Sequence, residues 1–266
     1  MLKDITLGQY FPGSSFIHRL DARIKIILSM VYLVVVFLIG NFYGYGFLAL
    51  FTYVMIKSSK VPLKFILRGI KPLVFFIVFT AILNVFMTGG NVIWSFGFLK
   101  ITYEGIRYAI FMVFRILFLM LGTSMLTYTT SPIALTDGIE RLLKPFSKIG
   151  LPSHELAMMM TIALRFIPTL LEETDKIMKA QMARGADFET GNLMSRAKAL
   201  IPLLVPLFVS AFRRADELAV AMECRCYRGG ENRTRLNEPK MGRLDAYAII
   251  IMIVFTAVIA ALNLVR

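Results

Sequence analysis

The sequence predicts an all-α integral membrane protein with about five transmembrane helices. To these it adds a cytoplasmic-side domain of about three long amphipathic helices. Three observations predict this. The chain is 57% hydrophobic with a mean hydropathy of +0.69 over 266 residues, and the apolar residues come in blocks. Lys and Arg collect between the early blocks. The stretch 131–243 carries apolar stripes at helical spacing but too many charges to cross hydrocarbon.

A helix needs about 20 apolar residues to span a bilayer. Segments of that kind lie near 24–40, 42–56, 71–88, 106–128 and 245–265. The first two are separated only by Gly-Asn-Phe-Tyr-Gly and read as a tight helical hairpin. The first segment begins after His-Arg-Leu-Asp-Ala-Arg-Ile-Lys, with charges of both signs, so the N-terminus reads as retained and not as a cleaved signal. Residues 1–130 hold 12 Lys/Arg against 3 Asp/Glu, a net of +9. Lys57, Lys60, Lys64, Arg68 and Lys71 all fall between the second and third spans, which predicts a cytoplasmic loop there. The next loop, MTGGNVIWSFGFLKITYEG, has one lysine and one glutamate and suits the outer face. Counting spans from these loops puts the N-terminus and residues 131–243 inside, with the C-terminus outside. The expected divisions are 1–130, 131–243 and 244–266.

The middle segment has 17 Lys/Arg and 13 Asp/Glu. Ser131 and Pro132 suit an N-cap and a first helical position. Leu135, Ile139, Leu142, Leu143 and Phe146 then fall on one face, and Pro145 with Gly-Leu-Pro ends the run. Ser153 is the expected N-cap of a second helix, with Glu155 in its first turn. Its stripe runs about 30 residues, or roughly 45 Å. Pro168 is expected to kink this helix, and Gly185 to end it. A third stripe, from about 194 to 227, passes Leu200, Leu204, Phe208, Phe212, Leu218 and Met222. The following YRGGENRTRLNEPKMG reads as a polar linker. Consecutive Met158, Met159 and Met160 give the second helix an adaptable surface.

The net charge of +13 invites a nucleic-acid reading, but its placement between apolar blocks points to membrane topology. No GxxxxGK[ST] nucleotide cradle occurs. The two histidines, His18 and His154, are too few for a catalytic or metal cluster, and His18 beside Arg19 suits a headgroup contact. Cys224 and Cys226 cannot supply four metal ligands and read as small residues where bulk is excluded. Arg107 and Arg115 lie in the fourth span, where a charge either marks a function or pairs within the bundle. Arg165, Arg213 and Arg214 read as ordinary charges of amphipathic helices. Arg184 and Arg225 differ, because Ala183, Gly185, Cys224 and Cys226 clear space for a planar guanidinium to enter an acidic groove.

These motifs together resemble the transmembrane T components of energy-coupling factor (ECF) transporters, over nearly the whole chain. GQYFPGSSFIHRLDARIKI looks like the family's opening, with its Gly-Gln-Tyr, Pro-Gly-x-Ser and Leu-Asp-x-Arg-x-Lys elements. SPIALTDGIERLLKPF looks like its first coupling helix, and Ala183-Arg184-Gly185 like its first Ala-Arg-Gly signature. Cys224-Arg225-Cys226 maps to the second signature but replaces both small neighbours with cysteine.

The resemblance implies a non-catalytic subunit in the cell membrane. Residues 131–243 would be the coupling domain. Two cytoplasmic ATPase subunits (A and A′) would each receive one arginine, and a membrane-embedded S component would bind the vitamin or metal. Met158, Met159, Leu170, Phe208 and Phe212 are the expected S-component contacts. ATP and Mg would be bound by the partners, with no cofactor, metal or nucleic acid on this chain. The alternatives are a T component dedicated to one cobalt, nickel or biotin importer, or a membrane scaffold without a transport role.

Overall fold

A computed structural model describes residues 10–96, 99–186, 188, 192, 194, 198–229 and 241–264. Gly8-Gln9 of the opening motif and most of the 227–242 linker lie outside these residues. The chain forms two compact units, Gly8–Gly138 with Glu238–Arg266, and Ile139–Asn237.

The first unit is a helical bundle. The hairpin α1 (Ala22–Leu38) and α2 (Phe42–Ser59) turns at Gly40 and Asn41. α3 (Leu63–Ile70) passes through a 3₁₀ turn at Lys71–Leu73, where Pro72 lacks an N–H, into α4 (Val74–Met87). The expected basic loop is therefore mostly helix. Lys64 and Arg68 lie on α3, and only 60–62 form the turn. The next expected loop is also structured. Val92–Phe96 and Leu99–Thr102 pair as antiparallel strands β1 and β2, because both are short runs rich in β-branched and aromatic residues. α5 (Tyr103–Thr129) follows, capped by the Thr102 hydroxyl accepting from the Gly105 N–H, and α9 (Arg243–Leu264) closes the unit.

Leu63–Met87, Tyr103–Thr129, Ser153–Ala183 and Arg243–Leu264 are long and apolar enough to cross a membrane. With α1 and α2, the first unit contains all five expected apolar helices. Ser153–Ala183 was expected to be too polar and is the least apolar of the four. Glu172, Glu173, Asp175, Lys176 and Lys179 crowd its second half, leaving the first half apolar.

Helices surrounded by lipid gain little from apolar burial, so close packing and hydrogen bonds hold them together, the latter worth about 0.6 kcal/mol each. Buried Tyr32 supplies both. Its ring occupies the space where a Cβ on Gly122 would be, and its hydroxyl bridges Thr52 Oγ1 (2.9 Å) and the Phe118 carbonyl (3.2 Å). Phe51 stacks on Phe255 at 4.0 Å between centroids, joining α2 to α9. The Asp-x-Arg-x-Lys motif forms a clamp at α1's start. Asp21 caps the helix by accepting from the Arg23 N–H and pairs with the Arg23 guanidinium at 2.8 Å. The Asp21 N–H donates to Asp245 Oδ1 (2.9 Å), while Asp245 Oδ2 accepts from the Gly242 N–H (2.8 Å). Lys25 Nζ donates to the carbonyls of His18 (3.1 Å) and Thr129 (2.8 Å).

His18 is not a free headgroup contact. Its Nε2 donates to the Phe11 carbonyl (3.0 Å), its Nδ1 accepts from the Ser15 hydroxyl (2.6 Å), and the ring lies against Gly13. Arg115 lies over the Phe37 ring at 5.8 Å and reaches the Ile39 carbonyl at 3.5 Å, so it is engaged inside the bundle.

Candidate functional site

The second unit is built on two long helices. The end of α6 (Pro132–Leu143) and a 3₁₀ turn at Lys144–Ile149 lead into α7 (Ser153–Ala183). Ser131 Oγ accepts from the Ala134 N–H at 3.2 Å, as its N-cap role requires. Ser153 is α7's first residue and not its cap; Pro152 holds the cap position without a side-chain bond. α7 runs unbroken past Pro168 to Ala183. α8 is Ile201–Cys224, shorter than the 194–227 expected, because Pro202 belongs in a first turn. Residues 193, 195–197 and 230 lie outside the described set.

Three contacts fix the sense of the pair. Gln181 Nε2 donates to the Pro202 carbonyl (3.3 Å), the Arg214 guanidinium pairs with Glu173 (2.8 Å), and the Tyr227 hydroxyl meets His154 Nε2 (3.5 Å). As α7 positions decrease, α8 positions increase, so the helices are antiparallel. Ala163, Phe166, Leu170, Ala211, Ala215 and Leu218 line a cavity of about 370 Å³ between them. The alanines permit close approach. His154 Nδ1 also contacts Glu140 Oε1 (3.1 Å), tying α6, α7 and the end of α8 together.

The two arginines end these helices in the same way. Arg184 is the C-cap of α7. The Gly185 N–H donates to the Met182 carbonyl and the Ala186 N–H to the Gln181 carbonyl, both at 3.0 Å. Arg225 is the C-cap of α8. The Cys226 N–H donates to the Glu223 carbonyl (2.8 Å) and the Tyr227 N–H to the Met222 carbonyl (3.0 Å). Both are Schellman motifs, which need a left-handed residue one position past the cap. Gly185 supplies it at φ +89° and Cys226 at φ +57°. A side chain costs about 1–2 kcal/mol in that conformation. Ala183 and Cys224 are the last helical residues of the two motifs.

Both arginines are exposed, and neither guanidinium has an ion pair or hydrogen bond among the described residues. Cys224 and Cys226 are exposed free thiols. Because the helices are antiparallel, Arg184 lies at the end where Gln181 meets Pro202, and Arg225 where Tyr227 meets His154. Their separation is on the order of 36 Å, the length of a 24-residue helix. Met159, Phe208 and Phe212 expose most of their surface, Met158 is half-buried, and Leu170 faces the inter-helix cavity. Among the described residues no cluster of His, Cys, Asp or Glu could hold a metal.

The chain matches the family described as Cobalt transport protein (CbiQ) over residues 13–236. It is 61% identical over 249 residues to an energy-coupling factor transporter transmembrane protein EcfT of Thermosediminibacter oceani, covering 94% of each chain. The chain belongs to the EcfT family. The EcfT of Ruminiclostridium cellulolyticum is 58% identical over 255 residues, 96% of each chain. That of Bacillus subtilis is 49% identical over 260 residues, 97% of this chain and 98% of its own. As an EcfT-family protein it is a multi-pass membrane component of an energy-coupling factor transporter.

Sequence reasoning did not find the Glu140–His154–Tyr227 contact or the Asp21–Asp245 clamp. One signal for each was present. Tyr227 follows a helix end where an apolar contact is usual, and Asp245 stands three residues after Gly242, as in a capping box.

Proposed function

We propose that this chain is the mechanical link of an importer for a vitamin or metal ion. It joins two cytoplasmic ATPase subunits to a separate substrate-binding S component in the membrane. The observation that carries the reading is the pair of exposed arginines on matching helix ends, neither with a partner among the described residues. Each guanidinium projects from a rigid cap, enters a groove on one ATPase and meets acidic side chains there. A separation on the order of 36 Å suits two subunits better than one groove.

ATP and Mg stay with the partners, and this chain hydrolyses nothing. The exposed apolar stripe containing Phe208 and Phe212, with Met158, Met159 and Leu170 on α7, receives the S component. When the ATPases close on ATP, α7 and α8 shift, and the S component reorients to release its cargo inside. Residues 131–243 form this coupling domain at the cytoplasmic face. The N-terminus is then inside and the C-terminus outside, and the basic residues at the α2–α3 turn favour that orientation.

Uptake of the transported vitamin or metal by cells carrying Arg184→Ala or Arg225→Ala tests the docking role. Removing one partner of a desolvated charge pair costs about 2–5 kcal/mol, so each variant loses most uptake. Cysteines placed at Met159 and Phe212 crosslink to the S component under the same reading; repeated failure there, with success elsewhere on the chain, argues against it.

A further inference from the structure

The bundle contains a second feature that docking does not use. A cavity of about 190 Å³ lies among α1, α2, α5 and α9, bordered by Leu28, Met125, Leu126, Met252 and, at its outer edge, half-exposed Val54 and Ile251. An apolar cavity of about 150 Å³ stays dry and takes up small hydrocarbons, so this one is large enough for a segment of acyl chain.

One wall carries a charge. Lys25 lines the cavity and is 7% exposed. An ammonium has three donors, and Lys25 spends two on the carbonyls of His18 and Thr129. The third has no acceptor among the described residues. Such a donor calls for an oxygen at the cavity's charged end.

Asp21 and Asp245 balance Arg23 and Lys25, so the excess positive charge here comes from exposed neighbours. Arg19 precedes the lining residue Leu20, Lys57 precedes the lining residue Ser58, and Lys60 follows in the turn. Hydrocarbon space, one unfilled donor and a basic rim together describe an amphipathic anion.

We propose that the bundle holds one anionic glycerophospholipid. An acyl chain fills the cavity, the Lys25 ammonium donates to its ester or phosphate oxygen, and Arg19 and Lys57 attract its headgroup. The lipid thereby fills the gap where the starts of α1 and α9 meet the ends of α2 and α5.

Native mass spectrometry of the full chain, released from nanodiscs of mixed phosphatidylglycerol and phosphatidylcholine, tests this. The wild type retains one lipid, enriched in phosphatidylglycerol. Ser29 also lines the cavity, and Ser29→Phe fills it and abolishes retention. Val54→Trp at the exposed lip does the same with little risk to folding, and thermal melting checks both. Lys25→Met lowers retention of both lipids. Arg19→Gln and Lys57→Gln keep a lipid but lower the anionic preference about fivefold each. The proposal is overturned if a folded cavity-filling variant retains lipid at the wild-type level, or if Lys25→Met leaves retention unchanged. It is equally overturned if the charge variants leave the preference unchanged, or if the retained mass is a polypeptide.

Discussion

Gly185 and Cys226 occupy one and the same backbone position, the left-handed residue immediately after a C-capping arginine, in two helices that run antiparallel. The two signatures differ in sequence but present their arginines on equivalent scaffolds. A cysteine is tolerated because the Schellman bonds around Cys226 are both made and its thiol is exposed.

Cys226→Gly should therefore preserve arginine presentation and raise stability by about 1 kcal/mol, since the left-handed strain is relieved. Gly185→Val should cost at least as much, because a β-branched side chain suits that conformation poorly. Thermal melting in detergent, with ATPase binding measured alongside, reads both effects.

Asp245→Ala should cost about 1–3 kcal/mol. It strands the buried Asp21 N–H, and an unsatisfied buried donor costs that much, whereas the exposed Gly242 N–H can turn to water. Asp245→Asn keeps one acceptor oxygen and should lose less. Chemical-denaturant or thermal stability of the purified chain separates the two.

Gly13→Ala should destabilise the N-terminal segment by about 1–3 kcal/mol. The new Cβ would lie 2.9 Å from His18 Cε1, and that ring is fixed by Phe11 and Ser15. Combining it with His18→Ala should recover much of the loss, and a double-mutant cycle on melting temperature measures the recovery.

Gly122→Leu should be far more damaging than Tyr32→Phe. The first evicts the Tyr32 ring from between α1 and α5; the second removes only its hydroxyl bonds to Thr52 and Phe118. For the second, a loss of about 1 kcal/mol is expected. Yield of monodisperse protein and melting temperature should rank the two in that order.

The helices were legible in the sequence wherever a local rule decided them. Ser131 and Pro132 start α6, Gly185 ends α7, and apolar runs mark the bundle. The β1–β2 pair was missed because runs of four and five residues carry little periodicity. In the sequence α3 reads as loop, because its lysine and arginine suggest topology and mask its continuity with α4. The two arginines proposed to dock stood out by their small neighbours. Their shared left-handed cap did not, because nothing about cysteine signals that conformation. The long-range pairings, Asp21 with Asp245 and His154 with Tyr227, join residues 224 and 73 positions apart and leave only local cap signatures behind.

The most direct test of the central claim is the number of ATPase subunits that copurify with the membrane chain, counted by native mass spectrometry. Wild type should carry two, Arg184→Ala and Arg225→Ala one each, and the double variant none. A double variant that still carries both subunits would contradict the account.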